Sequence, residues 1–361
     1  MSSAKQRERA SISRIASRSA APAVSCARLL VLGLAGIVFL GSDASALPLL
    51  QNEMTLTLPR ESQRGSRPVS VTTGFDGMEI CVTDGTSNSG QVFNASNVHV
   101  FSTGLTADLA QPIDITIERN GGFVCTDSRP EGGRTIRRLN LYGEPETYQP
   151  ESPVDGWQPE HLLLTRDGNY VTTDAAHSLL AKHDSRTGAL IWKKSLKDNE
   201  SDEVLGLGKP AESPDGRLYL PLGGDHMISV LTAEGEPEST FGLPGTGLGR
   251  LSSPEGVAFC PDGTIAVLDR MRNVILLYSA DHVFQSEFGE YGRGPRNLYQ
   301  PAAIAATSDG RIYVAQGFQG WIHVFRYSTT SAASSTNGRS HRLLAGWAGA
   351  HDVAPEGGGW L

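Results

Sequence analysis

Short stretches in which apolar and polar residues alternate recur along the chain, and each follows an Asp-Gly or Asn-Gly pair. Glycine accepts the positive φ of a tight hairpin and the Asp or Asn side chain caps the turn, so each pair predicts a β-hairpin. Successive pairs are 44, 47, 48, 47 and 47 residues apart. The six pairs are Asp76-Gly77, Asn120-Gly121, Asp167-Gly168, Asp215-Gly216, Asp262-Gly263 and Asp309-Gly310. This spacing predicts six repeats of one β unit.

Other positions keep the phase of these pairs. A proline stands eight residues before the pair in five units, at Pro68, Pro112, Pro159, Pro254 and Pro301. Proline is tolerated at the first residue of a strand, so these residues mark strand starts. A single four-stranded antiparallel unit buries too little apolar surface, whereas six units packed in a ring bury their faces and protect their edges. The predicted fold is all-β, a six-bladed β-propeller of four-stranded antiparallel blades.

Residues 241–325 resemble two consecutive NHL repeats. The first resemblance rests on Phe241-Gly242, Pro254–Ala258, Asp262–Val267 and Asp269. The second rests on Phe288-Gly289, Gly292–Gly294, Pro301, Asp309–Val314 and Trp321–Phe325. The resemblance implies an NHL-type propeller. The Asn-x-Arg-Ile stretch of the family reads Arg272-Asn273-Val274-Ile275 here, so binding loops that use it are not transferred to this chain.

The first 46 residues have the three-part pattern of a secretory signal peptide. Six basic residues are followed by the apolar run Leu29–Leu40 and then by Ala44-Ser45-Ala46. This order predicts cleavage after Ala46, and a secreted or periplasmic protein without a membrane span after cleavage. The alternative is an uncleaved anchor, although the apolar run is short of the roughly 20 residues that span a bilayer.

The remaining chain divides into two parts. Residues 47–67 form an N-terminal segment in which Met54–Leu58 can pair as a strand that closes the ring, and residues 68–361 form the propeller. A Ser/Thr/Ala-rich stretch within 328–340 predicts a flexible loop, and His341–Trp347 then predicts the outer strand of the last blade.

Charge and cysteine content limit the partners and the cross-links. Beyond residue 46 the chain has 25 Lys and Arg against 37 Asp and Glu. Because nucleic-acid binding requires basic residues, this excess of acids argues against a nucleic-acid partner. Cys81, Cys125 and Cys260 show no metal-binding spacing and predict buried apolar side chains. A Cys81–Cys125 disulfide between neighbouring blades is the alternative.

The residues that follow each proline start the innermost strands and should meet at one mouth of the central channel. Repeat arithmetic places five ionisable side chains there, from four blades: Asp114, Glu160, His161, Lys209 and Glu255. We predict ligand binding by Glu160, His161, Lys209 and Glu255, and a calcium site formed by Asp114, Glu160 and Glu255, since Ca²⁺ prefers oxygen ligands. The alternative is a solvated rim in which Lys209 balances the acids.

Two enzyme types share this architecture. Calcium-dependent hydrolases of the gluconolactonase and paraoxonase type also place an acid near an inner-strand start. Peptide-amidating lyases, which are NHL propellers, hold zinc with several histidines, and that resemblance points to His161, His177 and His226. No cofactor is firmly implied, with Ca²⁺ and then Zn²⁺ as the candidates.

The favoured function is an exported, monomeric binding scaffold for a protein, peptide or glycan. The alternative is a metal-dependent hydrolase or lyase with its site at the channel mouth.

Overall fold

A computed structural model of the chain describes residues 48–59, 65–104, 109–196, 206–223 and 227–329. Twenty-four strands form six four-stranded sheets, and every paired strand is antiparallel to its neighbour. The first strands of neighbouring sheets contact one another, which places them at the centre of a ring. The predicted six-bladed β-propeller is confirmed. In the described ranges, no helix has the length and hydrophobicity that crossing a membrane requires.

Each blade follows the order of the chain from the innermost strand outwards, except the last. Blade 1 contains β2 (Pro68–Thr73), β3 (Ile80–Asp84), β4 (Ser89–Phe93) and β5 (His99–Thr103). Blade 2 contains β6 (Pro112–Ile117), β7 (Phe123–Arg129), β8 (Gly133–Leu139) and β9 (Pro145–Glu146). Blade 3 contains β10 (Leu162–Leu164), β11 (Tyr170–Asp174), β12 (Leu179–His183) and β13 (Leu190–Ser195).

The second half of the ring is built in the same way. Blade 4 contains β14 (Ala211–Glu212), β15 (Leu218–Leu222), β16 (Met227–Leu231) and β17 (Pro237–Phe241). Blade 5 contains β18 (Pro254–Phe259), β19 (Ile265–Asp269), β20 (Val274–Tyr278) and β21 (Phe284–Phe288). Blade 6 contains β22 (Ala303–Ala306), β23 (Arg311–Gln316), β24 (Trp321–Thr329) and, outermost, β1 (Pro48–Thr57).

All six Asp-Gly or Asn-Gly pairs lie in the turn between the first and second strand of a blade, as the repeat predicts. Their glycines have φ between +69° and +88°, a region that side chains disfavour. The carboxylate of Asp76 accepts a hydrogen bond from the N–H two residues later, and Asp262 does the same. We call the side of the ring that carries these turns the hairpin face, and the opposite side, where the prolines start the inner strands, the proline face.

The acid that ends the second strand in four blades has a structural role. Asp84, Asp127, Asp174 and Asp269 are fully or almost fully buried. Each accepts hydrogen bonds from backbone N–H groups of the segment that leads into the first strand of its own blade. In blade 6 the side chain of Gln316 takes this part and accepts a hydrogen bond from the N–H of Tyr299 at 2.7 Å. These acids therefore anchor the start of the inner strands.

The ring is closed by the two ends of the described chain. β1 pairs with β24 from Pro48 opposite Thr329 to Thr57 opposite Trp321, so it takes the fourth position of blade 6. The sequence placed His341–Trp347 in that position and Met54–Leu58 beside it. Residues 341–347 and most of the predicted loop 328–340 lie outside the described residues, as does the predicted signal peptide.

The hydrophobic core consists of six clusters, each between two neighbouring blades. Cys81 and Cys125 lie in the cluster between blades 1 and 2, and Cys260 lies in that between blades 5 and 6. All three are buried free thiols. Burial raises the pKa of Cys125 and of Cys260 to about 12, so both stay protonated. The three cysteines act as small apolar residues, and Cys81 and Cys125 are not bonded to each other.

Candidate functional site

One level of the central channel is formed by the second residue after each proline position. The six residues at this level, one from each inner strand, are Ser70, Asp114, His161, Lys209, Gly256 and Ala303. Neighbouring inner strands pack closely here, since the N–H of Lys209 donates to the carbonyl of Glu255 at 2.8 Å. Three of the six residues at this level, Asp114, His161 and Lys209, are ionisable, as the sequence predicts.

The side chain of Lys209 crosses the channel from blade 4 to blades 1 and 2. Its Nζ lies 2.8 Å from Oδ1 of Asp114, 3.0 Å from Oγ of Ser70 and 3.4 Å from the carbonyl oxygen of Val71. Blades 1 and 4 are opposite each other in a ring of six. An ammonium has three N–H donors, so these acceptors satisfy it. We call Lys209, Asp114 and Ser70 the channel bridge.

Asp114 is completely enclosed by this arrangement. Its side chain has no exposed surface, and Lys209 retains 12% exposure. The hydroxyl of Ser70 donates to Oδ1 at 2.7 Å and the N–H of Leu162 donates to Oδ2 at 3.1 Å. The carboxylate is therefore neutralised by a lysine and fully hydrogen-bonded.

The two glutamates of the predicted site each lie beside an arginine. Oε2 of Glu160 is 3.2 Å from Nη1 of Arg134, and Oε1 of Glu255 is 3.7 Å from Nη1 of Arg270. Burial raises the pKa of Glu255, and Arg270 opposes that rise. All three acids of the predicted calcium site thus have a cationic partner. In the described ranges, no three His, Cys, Asp or Glu side chains are grouped so as to hold a metal ion. Calcium and zinc binding remain predictions, and His226 lies outside the described residues.

His161 lies beside the channel bridge on the proline face. Its backbone N–H donates to Oγ1 of Thr173 at 3.1 Å. Its ring Nδ1 is buried and has no hydrogen-bond partner among the described residues. Burial lowers the pKa of His161, against the opposing charges of Asp114 and Glu160. The ring is therefore neutral at neutral pH.

A cavity of about 370 Å³ occupies the channel on the hairpin side of the bridge. All six inner strands line it, and the lining starts at the level of Lys209 and Val71. The apolar part of the wall includes Val71, Leu163, Ala211, Val257, Phe259 and Ile304. Lys209 crosses the channel at this level and forms the floor of the cavity, so among the described residues the cavity is a blind pocket whose opening lies towards the hairpin face.

The rim of the pocket is built from the residues immediately before the six Asp-Gly or Asn-Gly pairs. The Arg119 side chain donates to the carbonyl of Arg166, and the Arg166 side chain donates to the carbonyl of Pro214 in the next blade. The guanidinium of Arg119 stacks 3.7 Å from the ring centroid of Phe75, which stays 44% exposed. These contacts link blades 1 to 4 around the opening.

The repeat pattern predicted a site at the proline end of the channel and did not predict this pocket on the hairpin side. Asp114 and Lys209 do come together as predicted, with His161 next to them. The signal for the pocket was also present in the repeat, because five residues at one repeat position line the pocket and the sixth, Arg119, stacks on Phe75. The six residues are Phe75, Arg119, Arg166, Pro214, Pro261 and Ser308.

Comparisons with known proteins support the fold. No family model matches the chain, and no curated protein matches it. A Staphylococcus aureus virginiamycin B lyase, solved as a catalytically inactive variant with quinupristin, is 16% identical, with a TM-score of 0.53, over 80% of this chain and 90% of that one. A Bacteroides thetaiotaomicron protein of unknown function is 11% identical, with a TM-score of 0.58, over 78% and 76% of the two chains.

A third similar structure is the β-propeller domain of Myceliophteria thermophila Cps50 (Swd1). It is 10% identical, with a TM-score of 0.52, over 77% of this chain and 99% of that one. The chain shares the β-propeller fold with all three. At these identities the likeness extends to the fold alone, and the NHL assignment remains a prediction.

Proposed function

We propose that this chain is an exported β-propeller scaffold that binds a peptide segment of a partner, with one apolar side chain of the peptide inserted into the blind pocket. The observation that carries the proposal is the pocket itself. Its volume of about 370 Å³ falls within the range of roughly 300–1,000 Å³ found for ligand sites. Its exposed wall is about half apolar and half polar, and the apolar half is aliphatic or aromatic.

The channel bridge determines how a ligand can enter. Lys209 spans the channel between the pocket and the proline face, so a ligand that enters from the hairpin face meets this side chain at the floor. The bridge also leaves no free charge at the floor, because Asp114 and Lys209 neutralise each other at 2.8 Å. A neutral group that enters from the hairpin face fits this geometry best.

The polar groups of the pocket favour a peptide side chain over a sugar. Sugars are held by several free hydrogen-bonding groups, but three of the polar side chains that line this pocket are already engaged. Thr72 donates to the carbonyl of Ile115 at 3.0 Å, Thr307 donates to Asp309 at 2.6 Å, and Glu212 accepts from the N–H of Arg166 at 2.7 Å. Burial of an apolar side chain against the aliphatic and aromatic part of the wall therefore contributes favourably to binding. Phe75 and the arginines on the rim are available to the flanking backbone of the peptide.

The proposal is tested with a random-sequence peptide library displayed on phage. Ala211 lines the pocket and is only partly buried, so Ala211→Trp should fill the cavity without removing a core side chain. The matched control is Ala280→Trp, at an exposed turn outside the pocket. Peptides selected on the wild type should bind the control variant equally well and bind Ala211→Trp at least about tenfold more weakly. Equal binding to both variants would show that the pocket is not the peptide site.

A metal-dependent hydrolase or lyase is the second candidate function, and one observation supports it. Nδ1 of His161 is buried without a partner among the described residues, beside Glu160 on the proline face. A neutral imidazole of this kind can accept a proton or bind a metal. Elemental analysis of the purified protein for calcium and zinc tests this candidate independently of the pocket.

A further inference from the structure

Four neighbouring loops on the proline face of blades 5 and 6 expose large apolar side chains. Leu248 is 75% exposed, Met271 74%, Tyr291 66% and Phe318 72%. They come from the connections between blades 4 and 5 and between blades 5 and 6, and from the turns between the second and third strands of blades 5 and 6. Each is far more exposed than the core residues of its own blade.

Hydrogen bonds join these four loops into one surface. Arg272 donates to the carbonyls of Thr246 at 3.2 Å and of Arg250 at 2.7 Å. Asn273 accepts from the N–H of Gln300 at 2.7 Å. The side chain of Gln319 donates to the carbonyl of Gly292 at 3.5 Å. The exposed apolar residues therefore belong to a continuous patch, which we call the aromatic–arginine surface.

Aromatic rings and arginines alternate across this surface. The ring centroids of Tyr291 and Tyr299 are 5.3 Å apart, and those of Tyr299 and Phe318 are 6.1 Å apart. The guanidinium of Arg293 lies 5.3 Å from the centroid of Tyr299. Such rings offer large contact area at low conformational cost, and guanidinium groups add directed donors.

The surface has a local excess of positive charge on an acidic chain. Arg250, Arg293 and Arg296 are exposed, and none forms an ion pair with a carboxylate in the described residues. The carboxylates nearby are Glu255, which pairs with Arg270, Glu287, which pairs with Arg272, and Glu290, which accepts from the amide of Asn297 at 3.1 Å. In the described part of this surface, Glu290 alone is left to offset the three arginines.

The surface also contains a crevice. Phe288, Gly289, Glu290, Pro295, Arg296 and Asn297 line it. A concave site with apolar anchors and unpaired arginines fits a polypeptide that carries carboxylates and apolar side chains. A flat lipid surface would instead meet the whole proline face, including Glu160 and Glu255, on a chain whose acids outnumber its bases by 39 to 31.

We propose that the aromatic–arginine surface is a second binding site, which takes an acidic peptide segment with apolar side chains. It lies on the face opposite the blind pocket, so it goes beyond the proposed function and does not depend on it. Carboxylates of the peptide pair with Arg293 and Arg296, and its apolar side chains pack against Tyr291 and Phe318.

The experiment measures fluorescence anisotropy with three short synthetic peptides and the mature protein. One peptide alternates acidic residues with Leu and Trp, the second replaces the acids by Lys, and the third replaces Leu and Trp by Ser. We expect the first to bind at least about tenfold more tightly than the other two. The charge-reversed variant R293E/R296E and the variant Y291S/F318S should each weaken that binding about tenfold or more.

Matched controls come from the hairpin face. Arg186→Glu reverses an exposed charge there, and Val283→Ser removes a side chain that is 62% exposed. Both should leave peptide binding unchanged. If Y291S/F318S proves unstable in a thermal melt, R293E/R296E alone carries the test, because both arginines are exposed.

Three results would overturn the proposal. The first is equal binding of the three peptides. The second is peptide binding that R293E/R296E leaves unchanged. The third is a wild type that ignores the acidic peptide but co-sediments with vesicles of equal parts phosphatidylcholine and phosphatidylglycerol, which would identify a membrane surface instead.

Discussion

Oγ1 of Thr55 lies 2.8 Å from Nδ1 of His323, a contact between residues 268 positions apart in the chain. It joins β1, the first strand of the chain, to β24, the last strand and its neighbour in blade 6, and so lies where the ring closes. His323 is buried, and its Nε2 has no hydrogen-bond partner among the described residues. The closure of the propeller therefore includes an imidazole that is held neutral.

The first prediction concerns the pH dependence of this closure. Burial lowers the pKa of His323 below its ordinary value of 6.5. A group whose pKa is lowered by folding contributes stability above its unfolded pKa and loses it as the pH falls below that value. We expect the Tm to fall between pH 7 and pH 5, and to fall less in His323→Gln. Calorimetric melts across this range measure the difference, and parallel curves for the two proteins would contradict it.

The second prediction concerns the channel bridge. Lys209→Met leaves Asp114 buried without its cation, and breaking a buried pair in this way costs about 3–5 kcal/mol. The double variant K209M/D114N removes both charges and should recover part of that loss, because no uncompensated carboxylate remains. Urea unfolding of the wild type, both single variants and the double variant gives the coupling free energy. Additive losses would mean that the two side chains do not stabilise each other.

The repeat determined more of the fold than of the site. The phase of the Asp-Gly and Asn-Gly pairs predicted six equivalent hairpins because φ and turn chemistry are local properties. The partner of β1 depended on which ends of the chain meet, and no local pattern carries that information. The four buried acids at or near the ends of the second strands, such as Asp127, were visible as a repeat. Their hydrogen bonds to the preceding backbone were not.

At the site, the repeat predicted where side chains start but not how far they reach. Repeat arithmetic correctly brought Asp114 and Lys209 to one level, because residues at equal repeat positions lie at equal heights in the ring. It could not show that Lys209 spans the channel to blade 1, since the reach of a flexible side chain depends on the channel width. Because of that reach, Lys209 forms the floor of the pocket, which lies on the hairpin side of the channel.

The third prediction concerns export. The basic, apolar and small-residue order of the first 46 residues predicts signal cleavage. We expect N-terminal sequencing of the exported protein to begin at Leu47, immediately before β1. Ala46→Asp should block cleavage, because the processing site requires a small residue, and Ser42→Asp, further from that site, serves as the control. Recovery of the intact N-terminus in a membrane fraction would show an anchor instead.

The last prediction concerns cations at the proline face. Each glutamate of the predicted site forms an ion pair with an arginine. Nη1 of Arg134 lies 3.2 Å from Oε2 of Glu160, and Nη1 of Arg270 lies 3.7 Å from Oε1 of Glu255. A calcium ion at these glutamates has to compete with both guanidinium groups. The variant R134Q/R270Q removes that competition and leaves two carboxylates that repel each other. Because an ion that binds only the folded state stabilises it, calcium should raise the Tm of this variant more than that of the wild type. Adding Glu160→Gln should remove the extra shift, and magnesium at equal ionic strength controls for screening. Equal calcium-dependent shifts in the wild type and R134Q/R270Q would contradict a shared cation position at these glutamates.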